Sequence, residues 1–287
     1  MKKSRLVALL SALMILAAMV VVVGCGSSDD DSSSGGSGDF QSELITDGTL
    51  TVGSDIPYAP FEMGKAPDYT GFDIELVNDI AKRLDLDVKI QDTAFDTIFT
   101  DVAQGKFDMV ASASTITPER EQVVNFSDPY YESEQALFVP PGSDITSVED
   151  LAGKTVAAQD GTTGEAYAND ETDAGQVRGF PTGAAAIASV VNGQADAGIV
   201  DAPVVEDAAS KGQSGFEIAT NIPTGEYYGF AFAKNTPELL KAVNGALADL
   251  IDDGTYEKLF RKYFNATPPK SITSGTAAED TGTTDEG

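Results

Sequence analysis

Short apolar runs alternate with amphipathic stretches along most of the chain. Residues 50–53 and 88–90 are brief apolar runs that indicate buried strands. Residues 74–84 carry apolar side chains at helical spacing after Asp73, which is suited to a helix N-cap. Thr93 is predicted to be the N-cap of a second helix. Strands and helices that alternate through short joints are typical of a parallel α/β sheet.

One sequence pattern occurs twice. In residues 102–110 and again in residues 190–198, a helix end is followed by a glycine, by an aspartate three residues later and by a strand. The pattern predicts two lobes of similar construction. Because ligands bind at the carboxyl ends of strands in open α/β sheets, we expect both lobes to present strand-end residues to a shared cleft.

The second lobe is expected to begin near residue 138. It contains apolar runs typical of strands at 155–158 and 199–200. Two further helices are predicted at 237–252 and 256–264. Since an amphipathic helix needs a partner for its apolar face, we expect both of them to return to the first lobe.

The composition excludes several classes of function. The 287 residues carry a net charge of −28, which argues against nucleic-acid binding through a basic surface. The chain has no histidine, so it lacks Ser-His-Asp and Cys-His catalytic arrangements and most zinc or iron sites. No phosphate-loop or dinucleotide glycine motif is visible. We therefore expect no metal and no cofactor.

The first 24 residues have the pattern of an export signal. Lys2, Lys3 and Arg5 precede an apolar run that ends at Gly24 and Cys25, the only cysteine. A small residue before a lone cysteine resembles a bacterial lipoprotein signal, which implies cleavage before Cys25 and lipidation of its thiol. The alternative is an uncleaved membrane anchor. Both interpretations place the rest of the chain outside the cytoplasm, attached to the outer face of the cell membrane.

Both ends of the remaining chain are polar. Residues 25–42 contain Cys25 and a stretch rich in Ser, Gly and Asp, which predicts a flexible acidic linker. Residues 266–287 are rich in Thr and acidic residues, which predicts a disordered acidic tail. The folded part is therefore expected between about residues 43 and 265.

Arg120 occupies a place where helix electrostatics disfavour a cation. Thr117 and Pro118 are typical of a helix start, so Arg120 lies in the first turn. There the helix dipole disfavours positive charge by about 0.3–1 kcal/mol. One interpretation is an exposed ion pair with a neighbour such as Glu121. The other is a guanidinium that faces a bound carboxylate and binds it bidentately.

Two sites in the second half of the chain also have alternative interpretations. The Gly/Thr turn at 159–164 is either an ordinary capped helix start or an anion site formed by free N–H groups. Asp201 follows the strand at 199–200, and it is either a helix N-cap or a contact to a ligand.

Five segments together resemble a known family, the periplasmic-type solute-binding proteins of polar amino-acid ABC transporters (extracellular solute-binding family 3). They appear in family order across about residues 48–265, at 71–76, 114–120, 126–131, 161–163 and 252–256.

The resemblance implies an α/β fold of the type II periplasmic-binding class, in which each of two lobes is a mostly parallel sheet flanked by helices. Lobe 1 would comprise residues 43–134 and 230–265, and lobe 2 residues 135–229. Two hinge crossings are expected near 132–137 and 227–230. Ligand would bind between the lobes and stabilise the closed form, which the transporter recognises.

The resemblance also implies how the amino-acid backbone of a ligand is held. Arg120 matches the arginine that clamps the α-carboxylate, with the Thr115 hydroxyl beside it. Thr163 matches the lobe 2 residue that completes this subsite. Asp201 matches the acid that pairs with the α-ammonium, and backbone groups near Ala113 help to hold that ammonium.

A second set of residues matches the family's side-chain pocket. Tyr58 and Phe95 match the aromatic rings that enclose the ligand side chain, and Asp55 matches an acid that contacts it. Ser112 and Gln159 line the same pocket. Gln159 stands where glutamine binders typically have lysine and where arginine-type binders often have glutamine. An acid without a nearby cation favours arginine, lysine, ornithine or glutamine over the acidic amino acids.

The implied function is that of an extracytoplasmic, monomeric subunit that captures a polar amino acid for an ABC permease and catalyses no reaction. One alternative is a dehydratase for prephenate- or arogenate-like substrates on the same fold. Such an enzyme needs a general acid and a pocket for two carboxylates, whereas Arg120 is the one evident cation for an anionic group. A second alternative is a sensory binding protein that docks on a receptor.

Overall fold

The structure, a computed structural model, describes residues 40–277. The predicted export signal, Cys25, the linker up to residue 39 and residues 278–287 of the predicted tail lie outside the described residues. None of the helices between residues 40 and 277 is long and apolar enough to cross a bilayer.

The chain forms lobe 1, then lobe 2, and then returns to lobe 1. Lobe 1 comprises the strands β1 (Thr49–Ser54), β2 (Met63–Lys65), β3 (Asp68–Thr70), β4 (Asp87–Asp92), β5 (Met109–Val110), β6 (Val124–Phe126) and β12 (Ala231–Ala233), with the helices α1 (Phe72–Arg83), α2 (Phe95–Ala103), α3 (Pro118–Glu121), α7 (Pro237–Asp252) and α8 (Thr255–Phe264). Lobe 2 comprises β7 (Tyr131–Val139), β8 (Thr155–Gln159), β9 (Gln176–Phe180), β10 (Ala197–Asp201) and β11 (Glu217–Tyr228), with α4 (Thr163–Asp170), α5 (Gly183–Val191) and α6 (Ala202–Ser210). A short helix, α9 (Lys270–Thr273), follows.

The two lobes contain five-stranded sheets with the same strand arrangement. The order is β4-β1-β5-β12-β6 in lobe 1 and β9-β8-β10-β7-β11 in lobe 2. The first three strands of each sheet are parallel, and the fourth, β12 or β7, is antiparallel to both its neighbours. In each sheet the reversed strand is the one that arrives from the other lobe. The expected two-lobed α/β fold with mostly parallel sheets is therefore confirmed.

The sequence pattern that occurs twice corresponds to a structural repeat. Asp108, at the start of β5, donates its backbone N–H to the Thr51 carbonyl and accepts the Thr51 N–H on its carboxylate, at 2.8 and 2.6 Å. Asp196, at the start of β10, forms the same pair of bonds with Thr155, both at 2.8 Å. Each aspartate thus ties the central strand of its sheet to the neighbouring parallel strand.

The long strands β7 and β11 pair with each other and run through both predicted crossings between the lobes. The pairing register shifts between Ile222 and Glu226, where β11 advances by four residues while β7 advances by two. The rings of Tyr131 and Tyr228 stack at a centroid distance of 5.4 Å, and both contact Phe61 of lobe 1. The crossing strands are therefore anchored in the aromatic core of lobe 1.

The last two long helices return to lobe 1, as expected. Helices α7 and α8 both pack against α1. The ring of Phe72 in α1 lies 5.9 Å from the rings of Tyr256 and Phe260 in α8, and Tyr256 Oη donates to the Tyr130 carbonyl at 2.7 Å.

Two predicted helix caps are wrong. The N-cap of α1 is Gly71, so Asp73 lies inside the helix and is fully buried. Gly71 has a φ of 127°, and a Cβ there would lie 2.0 Å from the Phe61 carbonyl oxygen, so only glycine fits. Helix α2 follows Ala94 as its N-cap, and Thr93 lies one residue outside it. In both cases tertiary packing overrides the local capping preference of the side chain.

Both predicted polar ends include ordered residues. Phe40, in the predicted linker, is 2 % exposed within a 3₁₀ turn (Phe40–Glu43). Ile272 and Ala277, in the predicted tail, are 3 % and 1 % exposed, and α9 contains Ile272. These apolar residues stand singly in polar sequence, so no periodic pattern marks them as part of a core.

Candidate ligand-binding site

One cavity lies between the lobes and is formed by residues of both. Its lining consists of Asp55, Tyr58, Phe95, Ser112, Ala113, Thr115, Arg120, Thr162, Thr163 and Asp201. Every predicted ligand residue except Gln159 is in this set, and Gln159 donates a hydrogen bond to Asp55. The structure therefore brings the predicted site residues together.

The cavity residues lie at equivalent strand ends of the two sheets. Asp55 follows β1 and Ser112 follows β5 in lobe 1, whereas Gln159 ends β8 and Asp201 ends β10 in lobe 2. Ser112 Oγ accepts the Asp55 backbone N–H at 3.0 Å, which fixes the two lobe 1 strand ends to each other. Carboxyl ends of parallel strands meet at one edge of a sheet, so two similar sheets face each other across the cleft.

Arg120 contacts lobe 2 from its place in α3. Thr117 caps that helix by accepting the Arg120 N–H at 3.2 Å, as predicted. The guanidinium donates to the carbonyls of Thr115 and Gly161, at 2.7 and 3.1 Å, and its carbon lies 4.6 Å from the centroid of the Phe99 ring. Burial lowers the pKa of Arg120 to about 10, so it stays cationic at neutral pH. This geometry favours an anion-facing guanidinium over an exposed pair with a neighbouring acid.

Asp201 is buried and does not cap the helix that follows it. It occupies the N-cap position of α6, but its side chain accepts no hydrogen bond from that helix. Instead, its carboxylate accepts hydrogen bonds from Gln135 Nε2, at 2.6 Å, and from Tyr228 Oη. Burial, and then the nearby charge of Glu226, raise the pKa of Asp201 to about 6. A buried carboxylate with neutral partners is a suitable contact for a cation.

Glu226 joins the two lobes next to Asp201. One of its carboxylate oxygens accepts from the hydroxyls of Thr115 and Thr163, at 2.7 and 2.8 Å. The other accepts from Gln135 Nε2 and Thr224 Oγ1, at 3.0 and 2.8 Å. Glu226 is 8 % exposed. Thr115 belongs to lobe 1 and Thr163 to lobe 2, so this carboxylate connects both sides of the cleft.

The Asp55 end of the cavity also connects the lobes. Gln159 Nε2 donates to the Asp55 carboxylate, and Gln159 is 2 % exposed. Burial raises the pKa of Asp55 to about 6, and the charges of Asp92 and Asp96 act in the same direction against the Gln159 hydrogen bond. The Tyr58 ring of lobe 1 lies against lobe 2, where a Cβ at Gly183 would come within 2.9 Å of it, and its hydroxyl interacts with Asp201. Within residues 40–277, no group of acids is arranged to hold a metal ion.

Ala113 adopts a backbone conformation that is rare for a residue with a side chain. Its φ is 41°, and its N–H donates to Asp73 Oδ2 at 2.9 Å. Tyr130 Oη donates to the same oxygen. Glu62 lies beside Asp73, both residues are fully buried, and burial raises the pKa of each carboxyl group. Asp73 thus holds the backbone of the cavity residue Ala113 from behind, a role that the N-cap prediction for Asp73 missed.

Sequence reasoning also missed Gln135, Glu226 and Tyr228. All three lie on the crossing strands β7 and β11, and Gln135 is fully buried. A buried polar side chain in a strand with an apolar core face is the one signal that could have identified Gln135. Glu226 shares the buried face of β11 with Ile222 and Tyr228 at alternate positions, so a carboxylate on that face is the signal that could have identified it.

Together, the paired sheets, the crossing strands and the charged cavity define a two-lobed ligand-binding protein. Residues 50–266 match the family described as bacterial extracellular solute-binding proteins, family 3. That match covers well over half of the chain, and the chain belongs to this family.

Individual relatives agree with the family assignment. The lysine/arginine/ornithine-binding periplasmic protein of Escherichia coli (strain K12) is 33 % identical over 231 residues, which are 76 % of this chain and 88 % of the relative. A solved structure of an ancestral arginine-binding protein bound to arginine is 37 % identical, with a TM-score of 0.71, over 76 % of this chain and 98 % of that one.

A third similar protein is an ancestral binding protein that is described as the precursor of an enzyme. The ancestral amino acid-binding protein AncCDT-1, described as a precursor of cyclohexadienyl dehydratase, is 41 % identical, with a TM-score of 0.69. The alignment covers 76 % of this chain and 95 % of that one. These three similar proteins are binding proteins, one of which is described as a precursor of an enzyme.

Proposed function

We propose that this protein captures an L-amino acid with a cationic side chain, arginine, lysine or ornithine, with glutamine as the next candidate, and delivers it to the permease of an ABC importer. The observation that carries the proposal is an interlobe cavity whose lining includes Arg120, Asp201 and Asp55. One guanidinium and two buried carboxylates match one carboxylate and two cationic groups, which is the charge pattern of arginine and lysine.

Each lobe supplies part of the contacts to the ligand. Arg120 of lobe 1 holds the α-carboxylate together with the first two N–H groups of α4, since the third, that of Glu165, is capped by Thr162 Oγ1. Asp201 of lobe 2 holds the α-ammonium, with help from backbone groups near Ala113, which lines the same cavity. Because each lobe supplies only part of the set, the full set of contacts forms only on closure, and ligand shifts the equilibrium toward the closed form.

The Asp55 subsite determines the class of side chain. Its hydrogen-bond partner from lobe 2 is the neutral amide of Gln159, and further acids, Asp92 and Asp96, raise its pKa. A guanidinium or ammonium group of a ligand would neutralise this carboxylate, whereas a ligand carboxylate would be repelled. The similar proteins named above bind arginine, lysine or ornithine according to their names, which supports this assignment.

The remaining expectations concern the place of the protein in the cell. We propose that it acts outside the cytoplasm as a monomer, that lipid attached to Cys25 anchors it to the outer face of the membrane, and that it catalyses no reaction. The similarity to a periplasmic binding protein of Escherichia coli supports the first point. The cavity offers one cation, Arg120, for anionic groups, which suits a zwitterion better than the dicarboxylate substrate of a dehydratase.

Thermal unfolding with each of the twenty L-amino acids and ornithine tests this function. The protein, residues 26–287, is first unfolded and refolded to remove any ligand that co-purifies. A ligand that binds only the native state raises the unfolding midpoint in proportion to its affinity. We expect a large increase with arginine, lysine, ornithine or glutamine. No increase with any of them would contradict the proposal, and turnover of prephenate or arogenate would support the dehydratase alternative.

A further inference from the structure

We propose that Glu62 is a neutral carboxylic acid at physiological pH, that it donates its hydrogen to the Asp73 carboxylate, and that this pair of acids holds the Ala113 turn of the cavity in place. Ala113 lines the cavity, and neither acid is among the lining residues. Both acids therefore have a positioning role, beyond the set of residues that the proposed function assigns to the ligand.

The backbone brings the two acids together. The backbone of Glu62 exchanges two hydrogen bonds with that of Tyr58, at 2.8 and 3.1 Å, and the Asp73 N–H donates to the Phe61 carbonyl at 3.1 Å. The side chains of Glu62 and Asp73 are in hydrogen-bond contact with each other, and both residues are 0 % exposed. The fold thus places two carboxyl groups side by side where water does not reach them.

The hydrogen-bond donors at this pair are aligned with Asp73. Asp73 Oδ2 accepts the Ala113 N–H at 2.9 Å and the Tyr130 hydroxyl. The Ala113 N–H acts only weakly on Glu62. Asp73 Oδ1 and both oxygens of Glu62 are buried, and no N–H or O–H group of residues 40–277 is aligned to donate to them. Three buried oxygens therefore lack a donor unless one of the acids supplies it.

A hydrogen on Glu62 satisfies this contact. A protonated carboxyl group has one O–H donor, and Asp73 Oδ1 has lone pairs that can accept it. Two ionised carboxylates in the same place would repel each other, and one of them takes up a proton instead. Asp73 is the better site for the remaining charge because it already accepts two hydrogen bonds that stabilise its ionised form. The proton is therefore assigned to Glu62.

The surroundings supply no cation that would keep both acids ionised. The titratable groups that face the pair are acids and phenols, namely Asp55, Tyr58, Tyr130, Tyr131 and Tyr256. No lysine or arginine of the described residues forms an ion pair with either acid. Burial, and then the charge of Asp73, raise the pKa of Glu62 well above its ordinary value, which agrees with a neutral Glu62.

The pair affects the cavity through a strained turn. Ala113 has a φ of 41°, a left-handed conformation that costs free energy in a residue with a side chain. The Asp73 carboxylate holds the turn through the Ala113 N–H, and the hydrogen of Glu62 fixes that carboxylate in turn. Loss of the hydrogen would leave two adjacent charges, which would separate and release the turn.

Equilibrium unfolding in urea at several pH values, without ligand, tests the protonation of Glu62. Glu62→Gln keeps a donor for Asp73 and cannot ionise. An acid that is neutral in the fold and ionised in the unfolded chain takes up one proton on folding, so the wild type loses stability as the pH rises. Relative to Glu62→Gln, its unfolding equilibrium constant should increase by about tenfold per pH unit between about pH 6 and pH 9.

Glu238→Gln, at an exposed position in the first turn of α7, is the matched control. Its unfolding constant should keep a nearly constant ratio to that of the wild type over the same pH range. A constant ratio between the wild type and Glu62→Gln as well would show that Glu62 is ionised in the fold, and would overturn the proposal.

Infrared spectroscopy locates the proton in the native protein without a variant that could misfold. At about pH 8 the wild type should show the C=O band of a protonated carboxyl group. Labelling of glutamate carboxyl groups with ¹³C should shift this band, and labelling of aspartate should not. A band that shifts with labelled aspartate, or the absence of a band, would overturn the assignment to Glu62.

Binding of L-arginine tests the positioning role. Glu62→Leu is similar in size but has no donor, so we expect it to weaken L-arginine by more than about tenfold at pH 7.5. Glu62→Gln, which restores a donor, should stay within about threefold of the wild type. Equal affinities of the wild type and Glu62→Leu would overturn the role. A wild-type protein that binds no L-arginine would instead contradict the proposed function, and the unfolding and infrared results do not depend on it.

Discussion

Gln159 of lobe 2 donates a hydrogen bond to the carboxylate of Asp55 in lobe 1, and the two residues are 2 % and 6 % exposed. The contact places a buried negative charge opposite a neutral group of the other lobe. Burial makes that charge costly unless a cation balances it, which raises the pKa of Asp55 to about 6. The pair thus both closes the cleft and prepares a site for a cationic side chain.

Replacement of Asp55 should change ligand preference. We expect Asp55→Asn to weaken L-arginine by about ten- to a hundredfold, because an ion pair becomes a neutral hydrogen bond. L-glutamine, whose side chain is neutral, should weaken by less than about threefold. Calorimetry with both ligands measures the ratio, and Asp87→Asn at the exposed start of β4 serves as the control. An unchanged arginine-to-glutamine ratio would place the ligand side chain elsewhere.

Loss of either backbone contact should affect all amino-acid ligands. Arg120→Ala or Asp201→Ala leaves the opposite charge of the ligand unpaired in a buried site, so we expect each to weaken binding more than about a hundredfold. Arg120→Lys should also lose more than about tenfold, since an ammonium cannot reproduce the bidentate fork. Titrations that remain close to wild type for both alanine variants would refute the assignment of the site.

Binding should weaken as the solution becomes more acidic. Asp55 and Asp201 each have a pKa of about 6 in the unliganded protein, and a bound cation favours their ionised forms. Below pH 6 both groups must release a proton on binding, so the affinity for L-arginine should fall between pH 7.5 and pH 5. Calorimetry in buffers of different ionisation enthalpy would detect the released protons. Affinity that is constant over this range would contradict the assignment of both acids.

Stability of the unliganded protein should change with pH in the opposite direction. The pKa of Asp201 is about 6 in the fold and 3.8 as its ordinary value, so its protonation favours the fold by up to about 3 kcal/mol below pH 4. This contribution is lost as the pH rises through 6. We expect a higher Tm at pH 5 than at pH 7.5. Relief of the net charge acts in the same direction, so the test is a smaller difference in Asp201→Asn, which cannot titrate.

The C-terminal segment beyond the family match should contribute to stability. Ile272 of α9 is 3 % exposed and lines a groove with Leu247 and Ile251 of α7. Ile272→Ala should destabilise the fold by about 2–3 kcal/mol and lower Tm by about 5–10 °C. Thr273→Ala, at an exposed position of the same helix, is the control and should leave Tm nearly unchanged. Equal Tm values for the two variants would show that the segment does not form part of the core.

Local patterns predicted the parts of the fold that depend on local chemistry. Thr117 and Pro118 start α3 as expected because capping and the proline φ act within one turn. The duplicated pattern predicted the repeat of Asp108 and Asp196, since each aspartate serves the same hydrogen bonds at its strand.

The errors arise where distant segments decide the structure. Asp73 was expected at an N-cap, but contacts to Ala113 and Tyr130, far along the chain, hold it inside α1. Gln135 and Glu226 lie 91 residues apart, and the pairing of β7 with β11 brings them together beside the cavity residues Thr115, Thr163 and Asp201. That pairing joins distant segments and has no local sequence signal, so the cross-lobe cluster could not be predicted from the sequence.

The most direct test of the central claim is a calorimetric titration of the refolded, ligand-free protein with L-arginine and, separately, with L-glutamate. The account predicts one site per monomer, and L-arginine at least about a hundredfold tighter than L-glutamate, because a buried Asp55 attracts one side chain and repels the other. Equal or tighter binding of L-glutamate, or no heat with either amino acid, would contradict it.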